Sequence, residues 1–397
     1  MGLDLNLNLD MSALPKELNL LLHFMKRESG KTVFSRHEEL FSEINWDVFL
    51  KLTHHHRIYP YIYSRLKEID PKWIPAKVVQ EVCHGYQKNT FHMLRLSGEM
   101  DQLCKLFIHN KIDVLLLKGP SLAADLYGDV SRRTSSDLDM LIPLTDLDQV
   151  HELLVDLNYV KEDYFSKELN EWKWRHHHVT YFNNQKGIKL EIHWRLHPGP
   201  SWEPTFNELW ERKRVNSLTT TPVYMLGKED LFLFLIAHGG RHGWSRLRWL
   251  VDMDRIVNLN LNWAKLTSLL KKYHLLQVGG QSLILASQLL STPLTQEMKT
   301  MAAGSRPKRL AQEALFYIKQ MVNLHDVSLP EEVASFHKRH LFSLMSIQQK
   351  MLYLLSLLYP FPMDVETLPL PKKLHFLYFP LRPFLCVWRK IRNLALS

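Results

Sequence analysis

The spacing of apolar residues changes near Ile112, and this change limits the fold more than any other feature of the chain. From residue 14 to residue 107, apolar residues recur at intervals of three and four, which predicts helices over 17–25 and 78–107. Residues 112–117 instead form a short continuous apolar run that ends in Lys-Gly-Pro, as a buried strand entering a turn does. A helical N-terminal region therefore precedes a region that contains strands.

The segment after this turn alternates between helix and strand patterns. Residues 121–127 suit a short helix, and residues 137–142 alternate strictly between polar and apolar side chains, which is the period of a strand. Thr145 is a predicted N-cap for an amphipathic helix that continues to residue 157. The order strand, helix, strand, helix indicates an α/β unit.

A predicted hairpin follows, and the chain then returns to helical spacing. Residues 179–182 and 188–194 flank a polar loop that ends in Gly187, which is typical of a hairpin. Later helices are predicted over residues 228–238, 247–256, 263–290, 307–321 and 342–357.

We therefore predict an α+β fold in which a small mixed sheet with helices is flanked by helical regions at both ends. The predicted regions are 1–108 (helical), 109–222 (α/β core) and 223–397 (helical).

Composition and charge exclude several classes of protein. Three widely separated cysteines with no CxxC pair support neither a disulfide framework nor a cysteine zinc site, so a reducing cytoplasm is expected. The longest uninterrupted apolar run, 231–237, is too short to cross a bilayer. A net charge of +9 favours anionic partners, which include nucleotides, nucleic acid, membrane surfaces and phosphorylated metabolites. No RNA-binding, zinc-finger or helix-turn-helix motif favours nucleic acid over the others.

Three acidic residues are the strongest candidates for chemistry. Asp137 and Asp139 point to the same face of their predicted strand, where their mutual repulsion is costly unless a cation offsets it. Glu191, in the second hairpin strand, is placed to complete a site for Mg²⁺ or Mn²⁺. The alternative is that the two aspartates only form the polar face of an edge strand.

Four segments resemble the nucleotidyltransferases related to DNA polymerase β. The core segment is LLLKGPSLAADLYGDVSRRTSSDLDMLI (115–142), and the others are HHHRIYPYIYSRL (54–66), KLEIHWRLH (189–197) and HGGRHGWSRLRWLVDMDRI (238–256). The chain looks most like a bacterial branch of uncharacterised nucleotidyltransferases found near polysaccharide and lasso-peptide biosynthesis genes. The resemblance covers residues 50–260 and implies a polymerase-β-like nucleotidyltransferase core.

This resemblance also implies site residues. Gly119 would lie on the turn that binds the nucleotide phosphates, with Pro120 intervening before Ser121 where the superfamily has Gly or Ser. Asp137, Asp139 and Glu191 would bind two divalent ions. The phosphate-binding candidates are Gly119, Ser121 and Ser136 together with the nearest cations, Lys118, Arg132 and Arg133. For each of these three cations, a solvated surface role is the alternative.

The implied reaction is transfer of a nucleoside monophosphate from an NTP to a hydroxyl-type acceptor on a small molecule, peptide or protein, with release of pyrophosphate. A nucleotide-binding regulatory or scaffolding protein and a phosphotransferase with the same metal site are the alternatives.

Other candidate motifs receive weaker interpretations. His238 and His242 have the spacing of a helical zinc pair, but the two glycines between them favour a helix bend near the active cleft, with Arg246 also near it. The histidine run 54–56 is expected at a solvated or partly packed helix end. The run 176–178 is expected on the surface, with a phosphate or substrate contact as the alternative. In the basic, aromatic stretch 374–396, two prolines are expected to prevent a continuous amphipathic helix, which favours a docked terminal helix over a membrane-binding one.

Overall fold

The computed structural model describes residues 7–26, 38–162, 166, 168–216, 218–219, 221–324, 326 and 328–396. The predicted α+β class is confirmed. The described strands form one mixed sheet, and helical regions precede and follow it in the sequence. Among the described residues, no helix combines the length and apolar composition needed to cross a membrane.

The N-terminal region is helical, as its periodicity predicts. It contains α1 (Lys16–Met25), α2 (Trp46–His55), α3 (Tyr59–Leu66) and the long α4 (Ala76–His109). The buried side chains of α4 recur at helical spacing, and α4 packs against the helix Pro120–Tyr127 and the strand Asp137–Leu141. It therefore supports the α/β core from one side.

The sheet contains seven strands in the order β3-β4-β5-β2-β1-β7-β6. The strands are β1 (Leu115–Leu116), β2 (Asp137–Leu141), β3 (Val160–Lys161), β4 (His178–Asn183), β5 (Ile188–His193), β6 (Arg214–Asn216) and β7 (Val223–Met225). The intervening helices are α5 (Pro120–Tyr127), α6 (Leu147–Asp156), α7 (Trp172–Arg175) and α8 (Phe206–Glu211). The predicted hairpin is confirmed as β4 and β5, which pair antiparallel.

Two details of this core differ from prediction. Helix α6 begins after a 3₁₀ turn at Leu144–Asp146, so Asp146 rather than Thr145 holds the N-cap position, with no side-chain cap bond. The short pair of β6 and β7 was not predicted, and β7 runs parallel to β1, with β6 at the edge of the sheet. Three-residue strands carry too little alternation to be recognised, and their pairing depends on long-range contacts. The sheet thus extends to Met225, whereas the division of the chain at 108 and 222 stays a prediction.

The C-terminal region is helical but more divided than predicted. It contains α9 (Lys228–Arg241), α10 (Leu247–Ile256), α11 (Trp263–Lys272), α12 (Leu276–Leu290), α13 (Gln296–Ala302), α14 (Ser305–Lys319), α15 (Glu331–Leu344), α16 (Ile347–Ser356), α17 (Pro362–Thr367) and α18 (Tyr378–Leu396). The predicted helix 263–290 is interrupted at His274, which has φ of +58°. The predicted helix 342–357 is interrupted at Ser346, which starts α16 with a capping box.

The terminal helix α18 is continuous, contrary to the expectation drawn from its prolines. Pro380 lies in the first turn, where backbone N–H groups have no intrahelical acceptor, so the ring removes no hydrogen bond there. Pro383 lies one turn further in and removes one bond. The remaining residues of the helix have enough bonds and contacts to tolerate this loss.

Candidate active site

Parallel pairing of β2 with β5 brings the predicted acids together. Asp139 lies directly opposite Glu191, and Asp137 lies opposite Lys189. Because side chains alternate along each strand, these residues share one face while the apolar residues between them are buried on the other. Glu191, about fifty residues further along the chain, therefore faces the same space as Asp137 and Asp139.

Asp139 is the most buried of the three carboxylates, at 1% exposure. Its Oδ1 accepts from Lys118 Nζ at 2.9 Å and lies 3.2 Å from His193 Nε2. Its Oδ2 is buried and has no hydrogen-bond partner among the described residues. An unsatisfied carboxylate oxygen at this depth is costly unless a cation or ordered water binds it.

Glu191 is surrounded by basic groups. Lys189 Nζ lies 2.7 Å from Oε1, and His193 Nε2 lies 3.6 Å from Oε2. His178 Nε2, on the adjacent β4, lies 3.9 Å from the same Oε2. His193 thus lies between Glu191 and Asp139 and holds both carboxylates in place.

The three carboxyl groups differ in their pKa shifts. Burial and the negative charge of Asp139 raise the pKa of Asp137. Burial also acts to raise the pKa of Asp139, but the Lys118 charge and the His193 hydrogen bond outweigh it and lower that pKa. At Glu191 burial is likewise outweighed, here by the His193 hydrogen bond and by His178, so its pKa is lowered. Asp137 is therefore the carboxylate least compensated by the protein's own cations.

A cluster of histidines borders the acids. Burial acts to lower the pKa of His193, but its hydrogen bonds to Asp139 and Glu191 raise it. Burial and the neighbouring His193 hold the pKa of His177 well below its usual range, so this imidazole is neutral at pH 7. His177 and His178 were expected at the surface, but both are half-buried and line the site.

A cavity of about 510 Å³ opens above the carboxylates. Asp137 and Glu191 form its acidic part, and neutral or aromatic walls include Phe234 and Trp249. The cationic residues that line it are Arg57, Lys118, Arg133, Lys189, Arg241, Arg246 and Arg248. Cations outnumber carboxylates in the lining, so the cavity suits a ligand that carries several negative charges.

Three of these arginines, from the end of α9 and the start of α10, have no carboxylate partner in the described part of the chain. Arg246 Nη2 donates to Asn323 Oδ1 at 2.9 Å, and Arg248 Nη1 donates to Thr134 Oγ1 at 2.9 Å. Burial lowers the pKa of Arg241 and Arg246 to about 10 and that of Arg248 to about 9. Burying a cation without a paired anion destabilises the folded protein, and a bound anion would offset this cost.

Arg133 has a carboxylate partner, unlike those three. Its Nε and Nη2 bond the two carboxylate oxygens of Asp252 on α10 at 2.8 and 2.9 Å. Burial acts to lower the Arg133 pKa, but the Asp252 charge outweighs it and raises that pKa. The neighbouring Arg132 is exposed, lies 3.9 Å from Asp129, and is not part of the cavity wall.

At the predicted phosphate turn, the backbone makes a tight turn at Gly119. Of the two predicted serines, only Ser136 lines the cavity. Gly119 has φ of +78° and caps α5, and an added Cβ would lie 3.5 Å from the Asp137 carbonyl oxygen. Ser121 is fully buried and donates to the Lys118 carbonyl at 3.1 Å, so its hydroxyl does not line the cavity. Ser136 does line it, and donates to Asp137 Oδ2 at 3.2 Å.

A family model described as uncharacterised nucleotidyltransferase matches residues 42–291. The chain belongs to this nucleotidyltransferase family. It is accordingly an enzyme that transfers nucleotidyl groups, and the matched residues include the whole sheet, the three acids and the arginines of α9 and α10. No curated protein matches the chain.

The donor set of this nucleotidyltransferase fits a divalent metal ion. Asp139, Glu191 and His193 each offer one ligand atom, and these atoms lie within 4.8 Å of one another. His177, His178 and His193 form a second group with the same property. Asp139 Oδ2, which has no hydrogen-bond partner in the described part of the chain, gives the first group an oxygen available to a metal ion.

Sequence reasoning missed several groups of the nucleotidyltransferase site. His193 and Lys189 are two residues from Glu191, so strand alternation alone already put them on its face. Arg57, Arg241 and Arg248 had no such signal, because only the packing of α2, α9 and α10 brings them to the sheet. The predicted proximity of His238, His242 and Arg246 to the cleft is confirmed by their place in the cavity wall.

Proposed function

We propose that this enzyme transfers a nucleoside monophosphate from an NTP to a hydroxyl-type acceptor on a small molecule, peptide or protein, and releases pyrophosphate. The observation that carries the proposal is the register of Asp139 against Glu191, which supports a polymerase-β-like carboxylate site at the floor of a cationic cavity. We place the reaction in the cytoplasm, in line with the cysteine content.

Asp137, Asp139 and Glu191 would hold two divalent ions, Mg²⁺ or Mn²⁺, with His193 as an added nitrogen ligand. Such ions neutralise triphosphate charge and lower the pKa of a bound hydroxyl. The raised pKa of Asp137 supports its part in this site, because a cation is what its carboxylate lacks.

The arginines would bind the triphosphate. Arg241, Arg246 and Arg248 offer guanidinium groups whose geometry matches phosphate oxygens, and none is paired with a carboxylate in the described residues. Lys118 would remain paired with Asp139, and its positive charge keeps that carboxylate ionised. The Gly119 turn would bring backbone N–H groups towards the phosphates, whereas Ser121 and Arg132 have no direct part in this proposal.

The chain's own groups would also orient the acceptor. Glu191 and the neutral imidazole of His177 both face the cavity and can accept a hydrogen bond from a hydroxyl group. The acceptor oxygen attacks the α-phosphorus, a new P–O bond forms, and the bond to the β-phosphate oxygen breaks. Pyrophosphate leaves beside the arginines, and the acceptor proton passes to solvent or to a carboxylate.

Labelled nucleotides test this proposal. The enzyme is incubated with Mg²⁺ or Mn²⁺, candidate acceptors, and each NTP labelled at either the α- or the γ-phosphate. We expect α-label on the acceptor together with released pyrophosphate, and no transfer by the Asp139→Asn variant. Transfer of γ-label would support the phosphotransferase alternative instead and would contradict the proposal.

A further inference from the structure

The last helix, α18, exposes an apolar stripe. Phe384, Val387, Trp388 and Ile391 are 72, 56, 55 and 61% exposed. Their spacing of three, one and three residues places all four on one side of an α-helix. A stripe with an aromatic residue at more than half exposure is uncommon on a surface that meets only water.

The opposite side of α18 is attached to the protein. Leu385 is buried at 2% exposure, and Arg382 Nη1 lies 2.5 Å from Asp364 Oδ2. Arg389 Nη1 lies 2.7 Å from Asp364 Oδ1, so both arginines bind the same buried carboxylate. The helix therefore has one docked side, and its apolar stripe is not needed for that docking.

The charge of this segment is of one sign. Residues 367–397 contain no Asp or Glu, and their basic residues are Lys372, Lys373, Arg382, Arg389, Lys390 and Arg392. Lys390 and Arg392 are exposed and, at 3.6 residues per turn, lie on opposite flanks of the stripe. Lys372 and Lys373 are exposed just before the helix.

We propose that α18 binds the surface of an anionic lipid bilayer, with its apolar stripe inserted among the acyl chains and its flanking cations at the lipid phosphates. This function goes beyond nucleotidyl transfer and uses none of its residues. An interfacial helix requires an apolar face, cations beside it and an aromatic residue able to lie at the headgroup level. Phe384, Trp388, Lys390 and Arg392 supply these features together.

Charge favours a lipid surface over a second copy of the chain. If two copies paired through this stripe, Lys390 and Arg392 of each would approach the same cations of the other, and residues 367–397 offer no acid to offset them. An anionic bilayer supplies the opposite charge along the whole helix.

Vesicle sedimentation of the full-length protein, without nucleotide, tests the proposal independently of the reaction. The vesicles contain phosphatidylcholine alone or phosphatidylcholine with phosphatidylglycerol, at low and high salt. We expect binding to the anionic vesicles that weakens with salt. The Phe384→Ser/Trp388→Ser double variant should lower the partition coefficient about a hundredfold because it removes two apolar anchors, and Lys390→Glu/Arg392→Glu by more than about tenfold.

Matched variants on α4 control for exposure and charge. Phe91 is also 72% exposed, and Lys77 and Lys88 are exposed on the same helix, so Phe91→Ser and Lys77→Glu/Lys88→Glu should bind vesicles as the parent does. Thermal melting checks that each variant is folded. Absence of binding to anionic vesicles, equal loss in the control variants, or a dimer that Phe384→Ser/Trp388→Ser dissociates would each overturn the proposal.

Discussion

Arg133 and Asp252 form a buried ion pair in which Nε and Nη2 bond the two carboxylate oxygens at 2.8 and 2.9 Å. The Tyr127 hydroxyl donates to the same carboxylate at 2.7 Å. Arg133 lies just before β2, and Asp252 lies on α10. The pair therefore connects the strand that carries the acids to the helix that carries Arg248.

Asp252→Asn should destabilise the fold. The amide leaves the Arg133 guanidinium buried without a compensating charge, which lowers the free energy of unfolding by about 3 to 5 kcal/mol. Urea denaturation at pH 7 measures this loss. Arg132→Ala is the control, since this exposed side chain should leave the midpoint unchanged; an unchanged midpoint in Asp252→Asn would show that the pair contributes no stability.

Replacement of Asp137 and replacement of Asp139 should have different effects on the stability of the protein. Asp137→Asn removes a carboxylate whose pKa is raised by burial and by Asp139, so the metal-free protein should be as stable as the parent or more stable. Asp139→Asn removes the charged acceptor of Lys118 and His193 and should cost about 1.5 to 3 kcal/mol. Both variants should lose transfer activity. Chemical denaturation in chelator, with an activity assay, separates the two effects; retained activity in either variant would contradict its proposed role.

Divalent metal and nucleotide should stabilise the native protein. Binding to the folded state alone raises the melting temperature, so Mn²⁺ or Mg²⁺ with ATP should raise it relative to chelator. His193→Gln should reduce the Mn²⁺ effect more than the Mg²⁺ effect, because Mg²⁺ favours oxygen ligands more strongly than Mn²⁺ does. The exposed His84→Gln is the control. A melting temperature that metal does not change would count against the site.

Arg241→Met should weaken triphosphate binding and leave the fold intact. A charge-assisted bond to phosphate contributes about 1.5 to 3 kcal/mol, so the ATP dissociation constant should rise about tenfold or more, with a smaller change for the nucleoside. Because burial lowers the Arg241 pKa to about 10, removing this charge should keep or raise the melting temperature. Calorimetric titration measures the affinity, Arg132→Met is the control, and equal affinities in parent and variant would remove Arg241 from the proposed phosphate site.

Glu191→Gln should reduce kcat more than it raises the KM for NTP. Glu191 would accept the hydrogen bond of the acceptor hydroxyl. This bond strengthens as the attack on phosphorus makes the hydroxyl more acidic, so its loss falls mainly on the transition state. Steady-state kinetics with the acceptor found by labelling measures both constants. If the two change equally, Glu191 serves nucleotide binding and not the chemical step.

Local patterns were sufficient for the strands that hold the acids. Alternation along 137–142 and 188–194 depends only on which side chains must be buried, and β2 and β5 lie where it placed them. The same alternation already put Asp137 and Asp139 on one face. Very short strands and single capping positions escaped prediction because they involve too few residues for a period to appear.

What the sequence by itself determined, then, is the faces of its strands and helices, because burial of apolar side chains acts on neighbouring residues at a regular spacing. Only the tertiary structure decided that Asp139 lies against His193 and opposite Glu191, since the register of two parallel strands depends on contacts between distant segments. It alone also brought Arg241 and Arg248 to the sheet. Those arginines lie at the ends of two helices that follow the sheet in the sequence. Only the packing of the whole core brings these helix ends next to the sheet.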